Sequence, residues 1–194
     1  MSVAEDMELY DVEALQRAID AGQRADLLFF WGHTAKGPGA GKHVLSQWWP
    51  AAFSLDGQGY ASAEQYMMMQ KAKLFGDEEA CSRILSTRSP SEAKRLGRRV
   101  KGFDDKLWSA HRFAIAVRGN TAKFGQNPEL RDWLIGTGEQ VLVEASPADT
   151  IWGIGLAADD KRALDPRTWR GLNLLGFTFM KVRAALRGVP VKVV

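Results

Sequence analysis

Glu64 and Lys71 stand seven residues apart in the stretch from Ser62 to Ala72, which reads as a single helix. At about 100° per residue, positions seven apart return to nearly the same direction, so a carboxylate and an amine share one face with Met68 between them. A second group of acids closes the strand-like run from Gln140 to Ser146, where Glu144 is followed, past Pro147, by Asp149 and then Trp152-Gly153-Ile154-Gly155. Carboxylates and an amine are the residue types for proton transfer, for stabilising a developing cation and for nucleophilic attack. A strand that ends in one acid and a loop that carries another present both at the rim of a pocket, and the glycines let backbone approach a ligand. Each residue also has a purely structural use. Glu64 suits the first turn of a helix because an anion is favoured there, Lys71 suits a solvated surface, and Asp149 suits a tight turn whose amides it caps.

The elements that must hold these groups can be read around them. Ser62 followed by Gln65 fits a capping box, which starts the Glu64 helix at about Ala63. Before it, Leu9, Val12, Leu15, Ala18 and Ile19 recur at helical spacing between Asp11 and Gly22, and Leu27 to Trp31 is a continuous apolar run that predicts a buried strand. The loop from Gly32 to His43 is rich in glycine but is no phosphate loop: Lys36 stands where that motif needs its first glycine, and His43 where it needs Ser or Thr. Asp56-Gly57 is a turn. After the Glu64 helix, Glu78 to Leu85 predicts another, and Ser89-Pro90-Ser91-Glu92 is a second capping box opening a helix through Ala93, Leu96 and Val100. Asp104 caps a longer one with Leu107, Trp108, His111, Ile115 and Val117 as its inner stripe, His111 being expected as a hydrogen-bonded core residue. Asn127-Pro128 starts a short helix that stops at Gly136, and a last helix carries Leu175, Phe179, Val182 and Leu186 inside. Five or six helices against two or three strands predict a mainly α domain with a few short β-strands, an α+β fold.

Composition narrows the function. The chain has 194 residues, a net charge of +3, a single cysteine and seven tryptophans. That length suits one domain with a full core, divided as residues 1–26 (a helical extension), 27–187 (the domain) and 188–194 (a tail). One cysteine excludes an internal disulfide, and no Cys/His cluster has zinc spacing, which predicts a metal-free protein in a reducing, cytoplasmic compartment. No apolar run reaches the ~20 residues needed to span a bilayer. Trp48 and Trp49, beside Pro50, suit either the end of a core or a rim for a flat ligand such as a nucleobase.

The motifs, taken in order, resemble the NADAR family, named for NAD and ADP-ribose. The matching pieces are Leu45-Ser46-Gln47-Trp48-Trp49, Ser62-Ala63-Glu64-Gln65-Tyr66 with Lys71-Ala72 and Leu74-Phe75, Ala93 to Arg98, Lys123-Phe124 with Gln126-Asn127, and Thr137-Gly138. Val143 to Ser146, Asp149 with Trp152-Gly153-Ile154-Gly155, and Asn173-Leu174-Leu175-Gly176 complete the series. The resemblance implies a single mainly helical domain without cofactor or metal that cleaves the bond between an anomeric ribose carbon and a base nitrogen. Its substrates would be phosphorylated ribosylaminopyrimidine intermediates of the riboflavin pathway, or ADP-ribosylated guanine in DNA or RNA. Breaking such a bond builds positive charge on the ribose, so Glu64, Glu144 and Asp149 become the candidate acids, with Lys71 a candidate nucleophile toward the anomeric carbon. Trp31, Ser46, Trp48, Trp152, Gly153 and Asn173 are expected at the base and ribose, and Lys123 or Arg183 at a phosphate. A nucleic-acid substrate would draw on Lys36, Lys42, Lys94, Arg95, Arg98 and Arg99, a set that also fits solvated surface. A module that binds ADP-ribose without cleaving it is the alternative; it needs the aromatics and glycines but not convergent acids.

Overall fold

The computed structural model describes residues 10–35 and 37–188. Leu9, Lys36 and the tail beyond Gly188 lie outside them. The elements, in chain order, are α1 (Val12–Asp20), β1 (Leu27–Phe30), β2 (Phe53–Leu55), β3 (Gln58–Tyr60), α2 (Ala63–Leu74), α3 (Glu78–Ser86), α4 (Pro90–Gly97), α5 (Asp105–Gln126), α6 (Pro128–Gly136), β4 (Val141–Glu144) and α7 (Leu174–Leu186), with short 3₁₀ turns between some of them. The mainly α, α+β expectation is met.

Two helices carry most of the packing. Six consecutive residues of α2, Ala63 to Met68, are buried, because α3, α4 and α5 surround its first two turns. The approach is close enough to need glycine twice: a Cβ on Gly119 of α5 would lie 2.3 Å from the Tyr66 ring, and one on Gly97 of α4 would lie 2.2 Å from the Met68 sulfur. The 22-residue α5 runs behind α2 and also packs on α6 and α7. Its buried face is Trp108, Ala116, Gly119, Asn120, Lys123 and Phe124; of the expected stripe Trp108 is buried and Ile115 and Val117 are half-buried against the core, while His111 and Leu107 are exposed. The buried face departs from the stripe because α5 meets α2 through small and polar residues, which a search for large apolar side chains at helical spacing passes over.

β1 and β4 form a parallel pair with Phe30 opposite Glu144, and Trp31 falls just outside it. Val141 N–H donates to Asp26 O and Ala145 N–H, just past β4, to Phe30 O, so the odd-numbered residues direct their backbone groups to β1. Leu142 and Glu144 therefore direct their backbone groups to the opposite edge. β2 and β3 make a separate antiparallel hairpin whose turn, Asp56-Gly57, has positive φ at both positions, as a type I′ hairpin turn requires. The apolar core gathers β1, β4 and α7 with α1, whose Leu15 and Ala18 are fully buried. The helix before residue 27 is thus packed into the same core as the strands.

The caps differ from expectation in detail. Ser62 Oγ accepts from Gln65 N–H at 3.2 Å, but the Gln65 amide reaches one residue further back, to Ala61 N–H at 2.7 Å, and donates to Thr87 O at 2.6 Å. Gln65 thereby ties the start of α2 to the end of α3. At α4, Ser89 caps Glu92 N–H, while the Glu92 carboxylate pairs with Arg95 instead of closing the box.

Candidate active site

Glu64 enters the interior because its own backbone is held there. Its N–H donates to Gln47 O at 2.9 Å, and the Gln47 carboxamide is locked in a reciprocal pair with Asn120 of α5, at 3.0 and 3.1 Å. The side chain is only 3% exposed, and its Oε1 is buried and accepts no hydrogen bond from the protein. Desolvation pushes its pKa up to about 7, against the pull of Lys94, a hydrogen bond from the Trp48 side chain, and Arg98, with Asp149 adding to the rise.

Glu144 arrives from the other side, at the end of β4. Its Oε2 is likewise buried without a partner. Desolvation again leads, followed by the nearby Asp149, and with Glu64 also raising it and Lys94 lowering it the carboxyl is pushed up to about 8. Glu144 therefore senses Glu64, and both carboxyls share two neighbours, Asp149 and Lys94. Those four groups form one electrostatic unit built from α2, β4, the turn after β4, and α4.

Asp149 serves the turn and the site together. Its Oδ1 accepts from Ile151 N–H at 2.9 Å and Trp152 N–H at 2.7 Å, the capping use anticipated for it, while its charge still reaches both glutamates. The turn is then laced to residues 170–175: Arg170 N–H to Ile154 O, Leu172 N–H to Thr150 O, Asn173 N–H to Gly153 O, and Leu174 and Leu175 N–H to Ile151 and Trp152 O. Gly153 has no room for a side chain, since a Cβ would lie 2.7 Å from Glu144 O. Trp152, half-buried, packs between the main core and the cluster that holds Met67, Met68 and Trp108.

Lys94 is the functional candidate that sequence reasoning left in a basic run. Its Nζ lies 5.8 Å from the Trp48 ring centroid, and it lowers the pKa of both glutamates. The signal was present in the spacing: Ser89 fixes the start of α4, and Lys94 and Arg98 then fall four apart on one face.

The remaining expected residues divide. Trp48 joins the site through Glu64 and Lys94 and borders a cleft of about 1110 Å³ with His33, Tyr60 and Arg88. Ser46 is taken up inside its own turn, with Oγ accepting from Trp48 N–H and its carbonyl accepting from Lys123. Lys71 is half-buried against the Phe103 ring, 4.1 Å from its centroid, and near Trp108; burial lowers its pKa and the carboxylate that opposes this is Asp105. Seven residues of helix put it about 10 Å along α2 from Glu64. Lys123 is fully buried, donates to Val44 O at 2.8 Å and Ser46 O at 3.0 Å, and is pushed down to about 7 by burial. Arg183 is buried on Thr137 Oγ1 at 2.7 Å, and burial lowers it to about 10. Trp31 is 66% exposed at the edge of a different cavity, of about 730 Å³, with Phe29 and the glycine-rich loop. Asn173 is buried against β4. Among the described residues no cluster of three or more His, Cys, Asp and Glu could hold a metal, and no helix is long and apolar enough to cross a membrane.

Comparison with known proteins bears on the chain as a whole. The NADAR domain family matches residues 29–187. An N-glycosidase of Acanthamoeba polyphaga mimivirus is 46% identical over 156 residues, which is 78% of this chain and 92% of that protein. The N-glycosidase YbiA of Escherichia coli is 31% identical over 138 residues, 71% of this chain and 76% of the other. The NMR structure of the E. coli protein YbiA aligns with a TM-score of 0.68 at 25% identity, covering 85% of this chain and 87% of that one. The order of motifs from Ser46 to Gly176, the shared fold and the extent of the match together place the chain in the NADAR family.

Proposed function

We propose that this protein is an N-glycosidase that hydrolyses the bond between the anomeric carbon of a ribose and a base nitrogen. The observation that carries the reading is the pair of buried carboxyls, Glu64 and Glu144, each with one unpartnered oxygen and both within reach of the Lys94 charge. A protein that only binds nucleotides has no use for two desolvated acids, whose burial costs stability.

The two differ in what surrounds them. Glu144, raised to about 8 with Asp149 and Glu64 pressing it upward, holds its proton at neutral pH and is the acid that hands it to the leaving nitrogen. Glu64, held near 7 by Lys94, Trp48 and Arg98, is the one that ionises more readily. Its carboxylate faces the positive charge that develops on the ribose and takes a proton from the water that adds to C1′. The products are the sugar with a hydroxyl at C1′ and the free base. Trp48 and Trp152 supply flat walls for the base.

Phosphorylated ribosylaminopyrimidines and ADP-ribosylated guanine share this bond and are the two substrate classes for the protein, which on its composition acts in the cytoplasm. Hydrolysis of each by wild-type, Glu64→Gln and Glu144→Gln protein tests the reading: release of base from one substrate, abolished in both variants, is expected, and release unaffected by either substitution overturns it. A covalent route through Lys71 is separable. Borohydride reduction during turnover fixes any imine between its amine and C1′ of an opened sugar, and mass spectrometry then locates the adduct or leaves the carboxyl pair as the whole machinery.

A further inference from the structure

The parallel pair β1–β4 leaves one edge of β4 without a strand, and that edge carries Glu144. Strand edges normally need cover, because their N–H and C=O groups are left unmatched. Here one side chain does the covering. Asn173 Oδ1 accepts from Glu144 N–H at 2.9 Å, and Asn173 Nδ2 donates to Leu142 O at 2.9 Å. One acceptor and one donor on a single planar amide offer β4 what the N–H and C=O of one residue in a neighbouring parallel strand would offer. Glu144 O is in turn taken by Ile154 N–H at 2.9 Å.

Several features of Asn173 make sense only in that light. It stands at the N-cap of α7, a position where Asn ordinarily turns its side chain onto the first helical amides, yet it makes no such bond; Leu174 and Leu175 N–H go to Ile151 and Trp152 carbonyls instead. Its backbone is left-handed, φ 51° and ψ 31°, a conformation that Asn tolerates better than most residues and that aims the amide back at the strand. Gly176 completes the fit: a Cβ there would lie 2.0 Å from Leu142 O and 2.5 Å from Asn173 Nδ2, so α7 can approach the edge only without one. Asn173 itself is fully buried.

We propose that Asn173 is a positioning residue for the reaction: its carboxamide holds Glu144 N–H and Leu142 O at the free edge of β4 and so fixes the direction in which the Glu144 carboxyl enters the site, without itself touching substrate. This rests on the reading of Glu144 as the acid, and the test separates the two. Asn173→Gly keeps the left-handed backbone and removes the amide, and Asn173→Asp keeps an acceptor for Glu144 N–H while losing the donor to Leu142. The expected result is a fall in kcat on the order of 100-fold for Asn173→Gly, the size of effect that an ångström of misplacement produces, with KM changed less than about twofold and Asn173→Asp intermediate. The basic limb of the pH–rate profile should move to lower pH as the released carboxyl gains solvent. The Glu144 carboxyl is followed separately by carbon-13 NMR, assigned against Glu144→Gln, which needs no substrate; its midpoint should fall in Asn173→Gly. A midpoint that stays put overturns the proposal whatever the activity, as does a raised KM at unchanged kcat, which would make Asn173 a substrate contact. A midpoint that falls in a protein that hydrolyses neither substrate keeps Asn173 as the positioner of Glu144 and removes the glycosidase reading instead. If Asn173→Gly does not fold, the same two readouts on Asn173→Asp decide.

Discussion

Replacing Glu64 with Gln should separate function from stability in a way that pH makes visible. Folding moves this carboxyl from its usual 4.5 to about 7. Between those values the native state holds a proton that the unfolded chain has released, so stability falls as pH rises through the window and stays low above it. At about 1.4 kcal/mol per pH unit the full loss comes to about 3 kcal/mol by pH 8. Glu64→Gln lacks the titrating group and does not suffer this loss. The amide brings a cost of its own, since a buried donor now faces the place where Oε1 had no partner, roughly 1–3 kcal/mol at every pH. The informative quantity is therefore the variant's stability relative to wild type at pH 8 minus the same difference at pH 4, which should be positive by about 2–3 kcal/mol. For a domain of this size that corresponds to roughly 5–10 °C in Tm. Urea denaturation at a series of pH values measures it, alongside turnover, which the substitution should abolish. Parallel stability curves for the two proteins from pH 4 to 8 would mean that Glu64 is not desolvated and would remove the physical basis for its role.

The pH–rate profile of the wild-type protein should be a bell, rising as Glu64 ionises near 7 and falling as Glu144 loses its proton near 8. Lys94→Met removes the cation that lowers both glutamates, so the acidic limb should move to higher pH and turnover at pH 7 should drop by about tenfold or more; an unmoved limb would detach Lys94 from the pair. Lys123 has a native pKa of about 7 in place of the usual 10.5, so the unfolded state binds the extra proton between these values and wild-type stability gains with pH across that window; Lys123→Met should lose this slope in denaturation measured from pH 7 to 10. Gly176→Ala should destabilise by about 1–3 kcal/mol or more, because its methyl meets a backbone carbonyl that cannot yield, and the loss would show as a lowered urea midpoint.

What could be read from the sequence, and what could not, follows from the range over which each signal acts. Caps are local, so Asp11, Ser62, Ser89 and Asp104 mark their helices in the sequence and each accepts the expected amide in the fold. Glu144 and Asp149 stand out because a strand end and a turn follow each other along the chain. Long-range pairing leaves no such mark. Glu64 and Lys71 share a face by arithmetic, yet what decides their environments lies elsewhere in the chain: Lys94 on α4 for the first, and Phe103 just before α5 with Trp108 and Asp105 on it for the second. Lys123 shows the converse. A lysine at the end of a long helix suggests a solvated or phosphate-binding amine, and only the fold reveals two backbone carbonyls, Val44 and Ser46, waiting for its protons in the core. The structural role of buried amides is hidden for the same reason. Gln47 and Asn120 break apolar periodicity and Asn173 reads as a ribose or base contact, but each satisfies backbone or a fellow amide inside. A small domain that must keep two carboxyls out of water cannot hold them with apolar contacts alone, since those have no direction. It needs hydrogen bonds to the backbone on which the acids are mounted, and Gln47 at Glu64 and Asn173 at Glu144 are placed to provide them.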